Sequence, residues 1–278
     1  MERISKSKMV CLFNCPMNYY FKYMNRAKKT DIVDDKFIVA GIEVHEKIEK
    51  VYDKIDDSIM DEEGHVQIFL LNQAFGEPVT KIPESIEIIK TARDNFVDWQ
   101  LDMNEKVGGF YRPYDVEKFV KCVIDQEFID KFVGDRKGSN AEKIRNMSPL
   151  DQPYLVNGFI DRVDLINGEY SIMDYKSKTK SVKAWELALY SLMASIDLKY
   201  DISHVSCWGY KDASYYYRKL KINNIDFALY KILEYNKLVN RYKRMGFKKK
   251  ESKWICEWCE YKQLCQKTNK KETIMGED

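Results

Sequence analysis

The sequence predicts an α/β protein in which a small central mixed sheet is flanked by helices, with a helical insertion and a cysteine cluster toward the C-terminal end. Three observations predict it. GFIDRVDLINGEYSIMDYKS, residues 158–177, alternates with period two on both sides of Asn167-Gly168 and reads as a hairpin on a tight turn. SVKAWELALYSLMASI follows with helical spacing, putting Trp185, Leu189, Leu192 and Met193 on one side. A second strand pair lies within residues 202–222, and strands interleaved with helix-period segments give a layered sheet-and-helix fold.

The elements follow in order. Residues 5–24, SKSKMVCLFNCPMNYYFKYM, open with serines suited to an N-cap and form two helical pieces around Cys15-Pro16. Residues 36–55, KFIVAGIEVHEKIEKVYDKI, form an amphipathic helix with an apolar stripe of Ile38, Ile42, Val44, Ile48, Val51 and Ile55, and with His45 beside that stripe. From about residue 60 to 150 the chain reads as mixed helix and loop, and DRKGSNAEKIRN as a surface loop. After the hairpin and its helix, ISHVSCWGY and SYYYRKLKI alternate as strands around a turn at Lys211-Asp212-Ala213. A long helix, NIDFALYKILEYNKLVNRYKRM, then leads into GFKKKESKWICEWCEYKQLC. There is no internal repeat and no Pro-rich or Gly/Ser-rich linker. The expectation is one domain over residues 1–278: N-terminal helices to residue 60, the insertion at 61–150, the core at 151–250 and the cysteine segment at 251–268.

Composition bounds the function. The chain is 45% hydrophobic and 13% aromatic, enough for a real core. Its 46 basic and 44 acidic residues leave a net charge of +2, so no overall attraction to a polyanion is expected and any nucleic-acid contact must come from local clustering. The opening residues carry no apolar signal segment, and no apolar run approaches the ~18 residues that cross a bilayer. A cytoplasmic protein without a membrane partner is expected. Seven cysteines, an odd number, point to thiols or metal ligands before disulfides.

The hairpin raises the chemical question, because alternation aligns Phe159, Asp161, Val163 and Leu165 in one strand and Ile172, Asp174 and Lys176 in the next. Carboxylates on an apolar strand face cost several kcal/mol unless paired, and two together repel, so they call for a shared cation. Magnesium or manganese prefers oxygen ligands and binds phosphate oxygens directly, which would make Asp161 and Asp174 a phosphate-ester hydrolysis site. Lys176, on the same face as Asp174, could orient the attacking water and offset charge growing on the phosphate. Acid-x-Lys also occurs at Asp34-Asp35-Lys36, Asp197-Leu198-Lys199, Glu251-Ser252-Lys253 and Glu260-Tyr261-Lys262. Only Asp174-Tyr175-Lys176 follows a second acid-bearing strand across a hairpin turn; a solvated edge hairpin or an internal Asp-Lys pair is the plainer alternative.

Cys256, Cys259 and Cys265 form a C-x2-C-x5-C run, and three thiolates need a fourth ligand. Cys11, Cys15, Cys122 and Cys207 are the candidates, and the spacing alone does not choose between zinc and an iron-sulfur cluster.

GFIDRVD...IMDYKS followed by WELALYSLM resembles the RecB-like branch of the PD-(D/E)XK nucleases. The pattern of that branch is Gly-x-x-Asp, Asp-x-Lys, a helix with Gln and Tyr four residues apart, and a histidine on an earlier helix. The resemblance implies a restriction-endonuclease-like core, with His45, Asp161, Asp174 and the Tyr175 carbonyl as metal ligands. It further implies Lys176 as the catalytic lysine and Tyr190 as a residue facing the substrate. Glu186 stands where the family usually has Gln, one turn before Tyr190 and toward the same cleft.

The iron-sulfur members of this branch, among them the CRISPR-adaptation nucleases and the nuclease domain of the AddB helicase subunit, carry one cysteine in an N-terminal Cys-Pro element and three in a C-terminal C-x2-C-x5-C. The resemblance therefore implies a 4Fe-4S cluster on Cys15, Cys256, Cys259 and Cys265, with Cys11 the rival to Cys15 and zinc the alternative occupant. The cluster would act as a structural clip. The resemblance covers about residues 4–50 and 153–268.

The expected function is a Mg2+- or Mn2+-dependent DNA exonuclease acting on single-stranded ends, in recombination, repair, phage DNA processing or CRISPR adaptation. The basic run from Lys237 to Lys253 would track the DNA backbone. No G-x-x-x-x-G-K motif is present, so a helicase activity would come from a partner, and an integrase is the other partner expected. The alternative is a DNA-binding or assembly module that keeps the fold and cluster without turnover.

Overall fold

A computed structural model describes residues 1–31, 36–55, 59–61, 65–147 and 149–267. Asp34 and Asp35 of the first acid-x-Lys triplet, and Thr268 at the end of the predicted cysteine segment, lie outside the described residues. The chain forms two compact units, one from Met1–Asp34, Lys121–Gly158 and Ile222–Asp278, the other from Asp35–Val120 and Phe159–Lys221.

The chain opens with β1 (Glu2–Ser5), α1 (Lys6–Asn14), α2 (Pro16–Tyr19) and a π-helical turn at Tyr20–Met24. The Ser5 hydroxyl accepts from the Lys8 N–H at 3.3 Å, so the predicted serine cap is formed, and Pro16 starts the second helix where its missing N–H costs nothing. Then come α3 (Lys36–Lys54), α4 (Ile68–Phe75), α5 (Pro83–Val107), β2 (Asp115–Ile124), α6 (Gln126–Val133) and α7 (Ser139–Arg145). The hairpin is β3 (Tyr154–Ile166) and β4 (Glu169–Lys176), followed by α8 (Ala184–Asp197), β5 (Ile202–Gly209), β6 (Ser214–Lys219) and α9 (Ile222–Met245). Two short helices, α10 (Lys253–Glu257) and α11 (Lys262–Lys267), carry the C-terminal cysteines.

The sheet is mixed, as the sequence predicts, and six-stranded, in the order β1-β3-β4-β5-β6 with β2 also on β3; β1 and β2 come in addition to the four strands expected. β3 and β4 are antiparallel across Asn167-Gly168, whose φ values of 54° and 80° make the two-residue turn that matches strand twist. β4 and β5 are parallel and so need a crossover, which α8 supplies while packing on both. Ten consecutive residues of α8, Trp185–Ala194, are buried, and Ser171 to Tyr175 of β4 are buried on both faces.

The second unit's core joins α3, α4 and α5 to the sheet through Val44, Ile48, Phe75, Phe96, Trp99 and Trp208. Its helix α3 corrects the predicted stripe: Val44, Ile48, Val51 and Ile55 are buried, but Ile38 and Ile42 are 53% and 57% exposed. The chain packs Ala40 and Val44 inward instead, and at 100° per residue that turns Ile38 and Ile42 out. The hairpin corrects a second expectation, because Phe159 and Leu165 are exposed while the opposite face of β3 buries Ile160, Arg162 and Asp164 completely.

In the first unit α7 packs on α9, so DRKGSNAEKIRN is a loop only to Gly138 and a helix beyond it, with Ala141 and Ile144 buried. Tertiary burial of these two side chains overrides the turn-like composition. Tyr19 and Tyr235 share a 2.6 Å hydroxyl contact between α2 and α9.

Candidate active site

All the acid and lysine positions singled out in the hairpin lie in the second unit, on elements that hold them close. Asp161 sits one step beyond the Arg162–Met173 register pair, which puts it across from Asp174. The Tyr175 N–H donates to Asp161 Oδ2 at 2.7 Å, fixing that carboxylate, while the Tyr175 ring turns to the opposite face and packs edge-on against Trp208. Asp174 is 1% exposed, pairs in register with Cys207 of β5, and its Oδ2 lies 2.6 Å from Lys176 Nζ.

His45 comes from α3, where its ring meets Tyr175 edge-on at 5.6 Å. Its Nδ1 is 3.6 Å from Asp161 Oδ2 and 4.0 Å from Glu117 Oε1. Donor atoms of His45, Glu117 and Asp161 lie within 4.8 Å of one another, the one such group of three among the described residues. This nitrogen and oxygen set suits a divalent cation.

Glu117 is the residue the sequence analysis missed. It lies on β2 with a left-handed φ of 44°, an uncommon conformation for a side-chain-bearing residue and a frequent one where a site is held under strain. Beyond it, Val120, Cys122 and Ile124 are buried at period two, whereas Asp115 to Lys118 are only partly buried, so the regular alternation starts after Glu117. The alternation of VEKFVKCVI could have signalled the strand. Nothing local could have signalled that pairing with β3 brings it to Asp161.

Glu186 and Tyr190 are buried one turn apart on α8. Burial, then the Asp174 and Asp161 carboxylates, push the Tyr190 hydroxyl far above the ordinary phenol range, against a smaller pull from Lys176. Burial and Asp174 likewise push the Cys207 thiol up to about 12, which makes it a core thiol. A neutral Tyr190 can donate a hydrogen bond to a substrate oxygen and cannot serve as a base.

The cysteine site belongs to the first unit. Cys15, Cys256, Cys259 and Cys265 line one cavity of about 480 Å³, together with Asn18, Phe21 and the lysines Lys249, Lys250, Lys253 and Lys262. Cys11 does not line it: its thiol donates to Asn18 Oδ1 at 3.6 Å, and Asn18 Nδ2 donates to Cys259 Sγ at 3.8 Å. Burial pushes the Cys11 thiol up to about 12. Burial also raises Cys259 and Cys265, with neighbouring thiols adding to it. No three of these sulfurs lie within 4.8 Å of one another. No described helix is long and apolar enough to cross a membrane.

Comparison with known proteins gives one family: the model of the PD-(D/E)XK nuclease superfamily matches residues 3–266. No curated protein matches. Among solved structures, the crystal structure of SSO0001 aligns with 85% of this chain and 96% of its own at 12% identity, with a TM-score of 0.33.

Proposed function

The chain belongs to the PD-(D/E)XK nuclease superfamily, and from that premise we propose that it is an iron-sulfur member of the RecB-like branch, an exonuclease that degrades DNA from single-stranded ends. Membership makes it a metal-dependent nuclease, a phosphodiester hydrolase with DNA as substrate. The observation that carries the proposal is the convergence of His45, Glu117 and Asp161 next to the Asp174–Lys176 pair on one hairpin.

His45, Asp161 and Asp174, joined by Glu117 and the Tyr175 carbonyl, would hold one or two Mg2+ or Mn2+ ions. When bound, the ion supplies Lewis-acid polarisation of the phosphate and a lowered pKa for water. Asp161 is held ready by the Tyr175 N–H. Lys176 orients the attacking water and, as an ammonium, offsets the charge that grows on the phosphate oxygens. Tyr190 donates from its neutral hydroxyl, and Glu186 beside it accepts from a donor on the substrate. The two compact units act as one nuclease domain in this reading.

The cysteine cavity would hold a 4Fe-4S cluster on Cys15, Cys256, Cys259 and Cys265, with zinc the less favoured occupant. The support is that Cys15, Cys256, Cys259 and Cys265 all line one cavity and that Cys11 does not. The protein would work in the cytoplasm, in recombination, repair, phage DNA processing or CRISPR adaptation, beside a helicase or an integrase.

The deciding experiment follows a single-stranded DNA labelled separately at each end, incubated with Mn2+ and either wild type or Asp174→Ala. Wild type is expected to shorten the strand, with the label lost first giving the polarity. Asp174→Ala is expected to be slower by about a hundredfold or more. Equal cleavage by both proteins would overturn the assignment.

A further inference from the structure

The three residues that converge at the candidate metal site share an unusual neighbourhood: large, exposed apolar side chains lie within a few residues of each. Two residues before Asp161 on β3 is Phe159, 54% exposed, and two residues after Glu117 on β2 is Phe119, 43% exposed. Residues two apart in a regular strand share a face and stand about 6.7 Å apart, which puts Phe159 on the Asp161 side, and Phe119 joins it by direct ring contact. The two rings meet at 5.1 Å between centroids, tilted by 55°, as one aromatic surface beside the carboxylates. On α3, Ile42 is three residues and Ile38 seven residues before His45, so helical geometry puts all three on one stripe. These isoleucines are the ones that left the predicted core.

An apolar rim is a costly surface to leave in water and the wrong one to receive phosphates. Phosphates have their own track. β4 runs from Lys176 directly into a loop carrying exposed Lys178, Lys180 and Lys183, none of them in an ion pair among the described residues. That loop is pinned: the Lys211 N–H donates to the Ser177 carbonyl at 3.0 Å, and the Thr179 hydroxyl donates to Ser214 Oγ at 2.8 Å. One site therefore has a cationic edge for a backbone and an apolar edge for what the backbone carries.

We propose that the Phe119–Phe159 pair is the base-stacking platform of this nuclease, receiving the unpaired bases next to the scissile phosphate, with Ile42 and Ile38 as the facing wall and Lys178, Lys180 and Lys183 on the phosphates. It rests on the nuclease reading above and deepens it by naming the residues that select unpaired strands. A duplex keeps its bases stacked on each other, so it gains nothing from the platform. Single-strand selectivity then comes from stacking, which tolerates any sequence because every base has a π-face.

The test uses full-length protein carrying Asp174→Ala, so that binding is read in Mn2+ without turnover. Three fluorescent probes are compared: a single strand, the same strand with its terminal nucleotides abasic, and a blunt duplex. Adding Phe119→Leu and Phe159→Leu, which keep apolar bulk and remove the rings, is expected to weaken single-strand binding about tenfold or more. The abasic strand and the duplex should change less than about twofold, because phosphate contacts are untouched. An equal loss on the abasic strand, or no loss on the intact one, overturns the platform. Unchanged circular dichroism and melting temperature show that the leucine variants fold. Failure of the nuclease reading appears separately, as strand cleavage by Asp174→Ala equal to that of wild type.

Discussion

Tyr190 shows how much a residue's surroundings decide its chemistry. With burial and two carboxylates raising its hydroxyl, it stays protonated wherever a nuclease is assayed, below about pH 10. Tyr190→Phe should therefore lower kcat without moving either limb of its pH profile; a lost alkaline limb would make Tyr190 the titrating group. Arg162 and Asp164 are a second residue-scale case, because both are fully buried in the second unit with Nε 2.6 Å from Oδ1. The guanidinium also donates to the Tyr52 hydroxyl and lies over the rings of Tyr111, Trp99 and Tyr52. Burial pushes the Asp164 carboxyl up, against the pull of that guanidinium. Arg162→Met would strand the carboxylate in the core and should cost about 3–5 kcal/mol in urea unfolding, whereas replacing both residues by apolar ones of similar volume should cost much less. None of this was legible from the sequence, where charged residues in a strand default to the solvent side and neither partner announces the other.

At the scale of elements, what was legible is what is local. The Asn167-Gly168 turn sets its own geometry, so the register of β3 and β4, and with it the opposition of Asp161 and Asp174, could be read from twenty consecutive residues. The helix after Lys176 was legible from the spacing of Trp185, Leu189, Leu192 and Met193, and the structure shows why it is there, as the crossover between two parallel strands. Glu117 was not, since β2 reaches the site only through pairing with a distant strand, and α7 was not, since its partner is α9. The lysine loop after β4 owes its shape to one more distant feature, Gly209 on β5. A Cβ there would stand 2.5 Å from both Asp212 Oδ1 and Ser214 Oγ and 3.1 Å from the Thr179 N–H, the atoms that pin the loop. Gly209→Ala should displace Ser214, cost about 1–3 kcal/mol, and speed trypsin cleavage at Lys178 and Lys180. Unchanged cleavage at both lysines would show that the loop is held by something else.

Across the whole molecule, the two candidate sites fall in different compact units, and the cysteine site draws on both ends of the chain. Asn18 and Cys259, which already meet through a hydrogen bond, are 241 positions apart. A cluster that closed a loop of that length, as proposed, would remove unfolded-state entropy equivalent to about 5 kcal/mol, comparable with the whole stability of many domains. The stabilisation belongs first to the unit that holds the cavity, because every cysteine lining it lies there and none of His45, Glu117, Asp161 or Asp174 does. If the cavity holds the proposed 4Fe-4S cluster, Cys259→Ala should bleach it and raise amide exchange in α1 and α9 by orders of magnitude, while α3 and α5 stay protected and binding of an added divalent cation such as Mn2+ persists. Cys11→Ala should leave both the iron content and the exchange pattern near wild type, since Cys11 stands outside the cavity. If Cys259→Ala opens both units together, folding is one cooperative event and the clip holds the nuclease site as well as its own unit.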